Sequence, residues 1–303
     1  MKLHNTFFVI LFLMIFLVGC SQESAINGGY YKYSGDKMIE ASFVKDAPVS
    51  LENAPYEPGE EIDIAVELIN RLPVNIEPGR VRVRLTGDAA MPNFFEGAKE
   101  VTNPLLEGIN PETGATNPEE IELGPIKYVG DIIGKVKKTI TGQYCYSHPV
   151  EVKANLFYSA KAEDIGTNLP SNANPPSRVK ITEIEQRPVD IQEDGTGRLK
   201  FSVTVANTGS GTVVDSLDDC FKYLGRRHKE QLRLTAKGAY DITCEKDGIV
   251  VLRPDTKSKT VNCEVIGIDP SNLGATPSEL TLTLNSFAYL EEIEPVDIWL
   301  ESS

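Results

Sequence analysis

The residues most able to form covalent sites in this 303-residue chain are its five cysteines. Four of them, Cys145, Cys220, Cys244 and Cys263, lie beyond an apolar export segment at the N-terminus. An even number of cysteines in an exported chain is typical of disulfide bonds rather than of metal binding. The chain contains no Cys-x-x-Cys spacing, so a zinc site is not predicted.

The pairing of these cysteines is only partly determined by their spacing. Cys244 and Cys263 lie 19 residues apart in neighbouring strand patterns and are the preferred pair. A loop of that length stabilises the fold by about 3 kcal/mol in the chain-entropy model. Cys220 is the main competing partner. Cys145 and Cys220 then form either an interdomain bridge or two unpaired thiols.

Acidic side chains could also form a site, and the best candidate for calcium is the segment with Asp190, Glu193 and Asp194. Its oxygens alternate and Gly195 follows, as at the start of a calcium loop. The Glu expected six residues after that glycine is missing, because position 201 is Phe. We therefore favour an acidic hairpin, expect any calcium there to be weak and structural, and predict no other cofactor.

Catalytic residues are scarce. The three histidines are His4, His148 and His228, and the last belongs to a small basic patch at 226–229. No nucleophile elbow, phosphate-binding loop or His-Glu-x-x-His motif is present, so no enzyme is predicted. The net charge of -14 argues against a nucleic-acid partner and against charge-driven docking on anionic membranes.

The N-terminus has the form of a signal peptide. Lys2 precedes 13 apolar residues at 7–19, a run too short to span a bilayer as a helix. Its end, Leu17-Val18-Gly19-Cys20, resembles the lipobox of prokaryotic lipoproteins. The resemblance implies cleavage of residues 1–19 and lipid attachment to Cys20. The alternatives are an uncleaved signal anchor and an ordinary secretory peptide.

Lipidation would place the protein outside the cytoplasm, anchored to the cell membrane or the outer surface. Two or three acyl chains anchor a protein firmly, whereas one does so marginally. Residues 20–35 form a short, polar segment that contains glycine, so they are interpreted as a flexible tether.

The rest of the chain is predicted to be all-β. Segments such as 61–68, 80–85, 200–205 and 280–284 alternate apolar and polar residues and are separated by Gly- and Pro-containing turns. We expect two tandem antiparallel Ig-like β-sandwiches after the signal-peptide helix and tether. Their predicted bounds are 36–164 and 178–301, joined by a Pro-rich linker at 165–177. Segments 130–138 and 215–230 are either helical or loop.

The two halves also look like copies of one another. The segments 108–118 and 267–277 share a Gly-Ile-Asn/Asp-Pro start, and 139–146 matches 282–289. A strand ends in an asparagine in each half, at Asn70 and at Asn207.

Residues 203–212 (VTVANTGSGT) are similar to bacterial and archaeal extracellular Ig-like modules of the CARDB-like type. In those modules a strand ends in Asn-x-Gly, which Asn207 and Gly209 match here. Both residue types tolerate positive φ, which is expected at this corner. The first half has Asn70 but no glycine. The resemblance implies a sandwich used as a stalk or an interaction module.

Together these features predict a lipid-anchored, extracytoplasmic structural, adhesion or protein-interaction module whose partner is an envelope or surface protein. The alternative is an accessory lipoprotein that binds glycan or calcium at sandwich loops. Trp299, the only tryptophan, is the candidate for a glycan platform. Alternation places it on the same face as Asp297, which would expose it on a terminal strand, but we favour edge packing against Tyr289.

Overall fold

The computed structural model describes residues 35–49, 51–110, 112–222 and 230–302. Its fold is all-β, which confirms the predicted fold class: half of the residues lie in strands, and no helix of seven or more residues occurs in these ranges. No helix among the described residues is long and apolar enough to cross a membrane. The signal peptide, Cys20, the tether before residue 35 and the basic patch at 226–229 lie outside the described residues.

The strands of the described chain are numbered in order. The first ten are β1 (Ile39–Phe43), β2 (Glu61–Ile62), β3 (Ala65–Asn70), β4 (Val81–Thr86), β5 (Phe95–Glu96), β6 (Glu100–Thr102), β7 (Glu119–Glu122), β8 (Ile126–Tyr128), β9 (Lys135–Tyr146) and β10 (Val150–Phe157). The next ten are β11 (Val179–Gln186), β12 (Asp190–Ile191), β13 (Gly197–Asn207), β14 (Thr212–Val214), β15 (Gln231–Lys237), β16 (Ile242–Cys244), β17 (Ile249–Val251), β18 (Ser258–Ile268), β19 (Pro277–Asn285) and β20 (Ala288–Glu301). Short 3₁₀ helices lie at Gly87–Ala90, Ala162–Asp164, Leu217–Asp219, Glu245–Gly248 and Pro270–Asn272.

Alternating burial explains why these segments form strands. In β4, buried Val81, Val83 and Leu85 alternate with half-buried polar residues, as the sequence predicts. Burying each such side chain stabilises the fold by about 1.5–3 kcal/mol. The predicted strand at 61–68 is divided into β2 and β3, which belong to different sheets. The main chain of Ile64, between them, accepts a hydrogen bond from the N–H of Leu123 at 2.8 Å.

The two segments expected to be helical or loop, 130–138 and 215–230, contain no α-helix among the described residues. The first, 130–138, is a loop that continues into β9. The described part of the second holds only the 3₁₀ turn Leu217–Asp219.

The strands pair into antiparallel sheets that form two lobes. The first lobe contains two three-stranded sheets, of order β1-β3-β7 and β2-β8-β5. It also contains a five-stranded sheet of order β14-β20-β9-β4-β6, and β1 lies next to β20 of that sheet. In the second lobe, β11-β13-β18-β16, with β12 on β13, lies against β10-β19-β15-β17, with β10 next to β11. One cluster of buried apolar side chains extends through both lobes.

The last strand of each half of the chain belongs to the opposite lobe. β10 follows β9 but pairs along its whole length with β19. β20 follows β19 but pairs with β9, from Tyr289 opposite Tyr146 to Glu301 opposite Lys135. The segments that connect β9 to β10 and β19 to β20 touch where the hydroxyl of Ser147 donates to the carbonyl oxygen of Phe287 at 2.9 Å, and we call this place the strand crossing. The lobes therefore exchange strands within a single chain.

Because of this exchange, the predicted bounds 36–164 and 178–301 do not coincide with the two lobes. The segment 36–164 supplies β10 to the second lobe, and the segment 178–301 supplies β14 and β20 to the first. The Pro-rich segment at 165–177 predicts a linker between two contiguous domains. Sequence periodicity shows which segments are strands, but not which distant strand provides the hydrogen-bonding partner.

The internal repeat is visible in matching corners. The side chain of Asn70 accepts a hydrogen bond from the N–H two residues later at 2.9 Å and donates to the carbonyl four residues later at 2.8 Å. Asn207 makes the same two bonds at 3.0 and 2.9 Å. Each asparagine also ends a strand at the same register, opposite Ile39 in β1 and opposite Val179 in β11.

The exchange predicts that a substitution that destabilises one lobe also destabilises the other. Leu282 in β19 is fully buried in the second lobe, opposite Val152 of β10. We expect Leu282→Ala to lower the free energy of unfolding by about 2–5 kcal/mol, as for other buried leucines. The emission of Trp299, which lies in the first lobe, should report that loss during urea unfolding.

Ile266→Ala, at an exposed position of β18, is the matched control and should change the free energy of unfolding by less than about 0.5 kcal/mol. If the Trp299 transition of Leu282→Ala kept the wild-type midpoint while circular dichroism showed an earlier one, the lobes would unfold independently and the expectation would be wrong.

Candidate functional site

A buried polar cluster lies where the two halves of the chain meet, and we call it the junction cluster: Tyr144, Arg178, Asn207, Tyr289 and Glu291. Glu291 of β20 is only 5% exposed. Its carboxylate faces Nε of Arg178 at 3.3 Å and accepts a hydrogen bond from the hydroxyl of Tyr144 on β9. A buried carboxylate is costly unless it is paired, so these partners are what allow Glu291 to lie inside the fold.

The tyrosines of the junction cluster are held neutral. Burial raises the pKa of Tyr144 well above its usual value, and the charge of Glu291 raises it further. The same two causes raise the pKa of Tyr289 to about 12. Neutral phenols donate hydrogen bonds here throughout the physiological pH range, so the cluster is suited to holding the strands together.

Tyr289 also explains the Asn-x-Gly corner. Its hydroxyl donates to the side-chain oxygen of Asn207 at 3.0 Å. A Cβ on Gly209 would lie 2.3 Å from that hydroxyl, and one on Gly211 would lie 2.8 Å from the tyrosine ring. Neither glycine has positive φ, which corrects the expectation that the corner needs a left-handed backbone. The glycines are required because β20 passes close to the corner.

Cys145 and Cys220 form a disulfide, so they are not two unpaired thiols. The bond links the two halves of the chain, but it lies within the first lobe and does not bridge the lobes. Cys145 lies in β9, and Cys220 lies in a strap at 215–222 that follows β14. The guanidinium of Arg84 in β4 donates to the carbonyl oxygen of Phe221 at 3.1 Å and lies 4.3 Å from that ring's centre. The strap is therefore fastened both covalently and by a cation–π contact.

The preferred pair, Cys244 and Cys263, is also joined by a disulfide in the structure. These cysteines are register partners on β16 and β18. The bond fixes the short edge strand β16 to its sheet, where only three residue pairs hold it otherwise.

The outer face of that sheet carries an open groove of about 1020 Å³, which we call the polar groove. Register shifts in β11 and β13 accompany it, and such bulges bend and twist a sheet. Its lining includes Arg187, Lys200, Thr243, Thr260, Asn262 and Glu264. Phe201 is the one aromatic residue among its described lining and is buried, so the groove presents hydrogen-bonding groups rather than a stacking surface.

The calcium candidates lie on the hairpin between β12 and β13. The carboxylate of Asp194 accepts hydrogen bonds from the N–H and hydroxyl of Thr196 at 2.9 and 2.7 Å, which lowers its pKa. Asp190 accepts from the side chain of Gln192 at 2.9 Å. Glu193 is exposed on the same turn. Across the described ranges, no three His, Cys, Asp or Glu side chains group so that they would hold a metal ion.

Two other sequence candidates have separate surroundings. His148 is half-buried at the strand crossing, where burial lowers its pKa and Arg80 adds to the effect. Trp299 is half-buried on β20, with Nζ of Lys135 5.6 Å from its ring centre. It lies ten residues from Tyr289 along the same strand, so the two do not pack edge to edge.

Sequence reasoning missed the junction cluster, although one signal for it was present. Tyr289, Glu291 and Ile293 occupy the inward positions of β20. Glu291 is therefore a charged residue at a position where the alternation predicts an apolar one. An acid at such a position indicates a buried partner of opposite charge.

Comparisons with protein-family models, curated proteins and solved structures find no match for this chain.

Removing the cation of the junction cluster should weaken the fold. We expect Arg178→Ala to lower the free energy of unfolding by about 3 kcal/mol, the low end for breaking a buried ion pair, because Arg178 keeps some exposure. Urea unfolding measures the change. Arg71→Ala breaks a more exposed Arg–Glu pair, with Glu40, and should cost less than about 1 kcal/mol. Equal losses in the two variants would show that the junction pair has no special role.

Proposed function

We propose that this chain is a prokaryotic lipoprotein whose two strand-exchanged lobes form a rigid structural, adhesion or protein-interaction module outside the cytoplasm. The anchor rests on the lipobox-like residues 17–20. The compartment is supported by both disulfides, since disulfides persist in oxidising surroundings. The CARDB-like resemblance at residues 203–212 agrees with a stalk or interaction role.

The observation that carries the structural role is the exchange of β10 and β20. Two sandwiches in tandem usually move relative to one another, because the interface between them is small. Here each lobe is completed by a strand of the other half. The Cys145–Cys220 disulfide also joins the two halves of the chain, within the first lobe. Such a module keeps its surfaces at a fixed spacing, which suits a spacer or a platform for an envelope or surface protein.

The lipid anchor predicts the effect of Cys20→Ser. Full-length wild-type protein should sediment with host membranes and be released by detergent, because acyl chains hold it there. Cys20→Ser should leave the membrane fraction, and Ser21→Ala, the matched control, should stay in it. Retention of Cys20→Ser in the membranes would show that the apolar segment itself is the anchor.

A second candidate, glycan binding, is favoured by the polar groove. Threonine, asparagine and charged side chains line one open face, and such groups hydrogen-bond sugar hydroxyls or acidic sugars. No aromatic residue is exposed among the described lining of the groove, so affinity would depend on hydrogen bonds alone.

Calorimetric titration with oligosaccharides released from purified envelope polysaccharide tests this candidate. If the groove binds glycan, Lys200→Ala should weaken binding at least tenfold, because it removes a charged donor from the centre of the face. Lys127→Ala, on β8 of the first lobe, should leave the affinity unchanged. Absence of saturable binding by the wild type would eliminate glycan as the ligand.

A further inference from the structure

Three exposed apolar side chains lie on two adjacent loops at the end of the first lobe that is farthest from the strand crossing. Two loops, 87–94 and 129–134, form this end, which we call the loop tip. Ile133 is 97% exposed, and Met91 and Val129 are each more than 40% exposed. Large aliphatic side chains this exposed on adjacent loops are candidates for contact with a partner or a membrane.

Backbone hydrogen bonds hold the loop tip together. The N–H of Val129 donates to the carbonyl oxygen of Phe94 at 2.9 Å, and the N–H of Phe94 donates to that of Met91 at 2.9 Å. The second loop is bound to residue 302, whose N–H donates to the carbonyl oxygen of Gly134 at 3.3 Å. The apolar side chains are therefore presented from a defined backbone.

Lysines and the single tryptophan surround the apolar end. Nζ of Lys138 lies 5.0 Å from the ring centre of Phe94, and Nζ of Lys135 lies 5.6 Å from that of Trp299. Tryptophan and lysine are enriched where an apolar surface meets the headgroup layer of a bilayer. Lys137 and Lys138 are paired with Asp297 and Asp88. Lys135 and the exposed Asp131 of the second loop add one charge of each sign, so the charges of the tip balance and do not select anionic lipid.

The position of the chain's start relates the loop tip to the anchor. Lys180 contacts both Gly35 and Asp36, which places the end of the tether beside the strand crossing. From the crossing, β9 runs from Tyr146 to Lys135 and reaches the loop tip after about 35 Å. The segment 20–34 has a contour length of about 50 Å. A lipid on Cys20 and the loop tip can therefore reach the same membrane surface.

We propose that the loop tip inserts into the headgroup layer of the membrane that holds the N-terminal lipid, as a second, apolar contact with the bilayer. This inference rests on the lipid anchor of the proposed function. The lipid fixes only one end of a tether, whereas a second contact sets the orientation of both lobes. Because the tip's charges are balanced, insertion needs no anionic lipid.

Trp299 allows a direct test, since it is the chain's only tryptophan and lies on the last strand leading to the loop tip. Full-length lipidated protein is reconstituted into vesicles of phosphatidylcholine with or without acyl chains brominated close to the headgroup, which quench tryptophan emission at short range. We expect at least twofold quenching for the wild type. Ile133→Asp should abolish most of it, because a charge replaces the most exposed apolar side chain of the tip.

Ile266→Asp is the matched control, since Ile266 is 55% exposed on the second lobe. It should leave the quenching unchanged, and urea midpoints should show that both variants fold as the wild type does. Loss of flotation with the vesicles would overturn the lipid anchor. Flotation without quenching would overturn the insertion of the tip alone, and would leave a protein as the partner of this surface.

Discussion

The structure depends on the main-chain hydrogen bonds between β9 and β20 and between β10 and β19. In each pair, one strand comes from each half of the chain. If β20 left its sheet, β14 and β9 would both lose their common partner, and their buried N–H and C=O groups would be unpaired. The exchange therefore makes the folding of each lobe conditional on the other.

The side chains at the strand crossing reinforce this arrangement. The Glu291 carboxylate lies inside the fold only because Arg178 and Tyr144 satisfy it, and these three residues come from β20, the segment before β11, and β9. Tyr289 adds a bond to Asn207, and the glycines at that corner leave room for it. A shift of β20 along β9 would separate these partners, so the junction cluster determines the register of the crossing as well as its stability.

The roles proposed for the polar groove and the loop tip depend on a fixed arrangement of the two lobes. The polar groove lies on the second lobe and the loop tip on the first, and the exchanged strands hold the one at a fixed position relative to the other. A lipid anchor on a short tether would confine the module to the membrane without orienting it. Contact of the loop tip with the bilayer would orient it and direct the second lobe towards a partner.

The sequence by itself determined the strands, because period-two burial such as that of β4 is a local property. It also determined the paired corners at Asn70 and Asn207, and the spacing of the disulfide Cys244–Cys263 is local enough to predict. Only the tertiary structure decided which half completes each lobe, since pairing over more than a hundred residues leaves no local pattern. For the same reason the partner of Glu291 was not predictable: a buried acid indicates that a cation lies near it, but not which one.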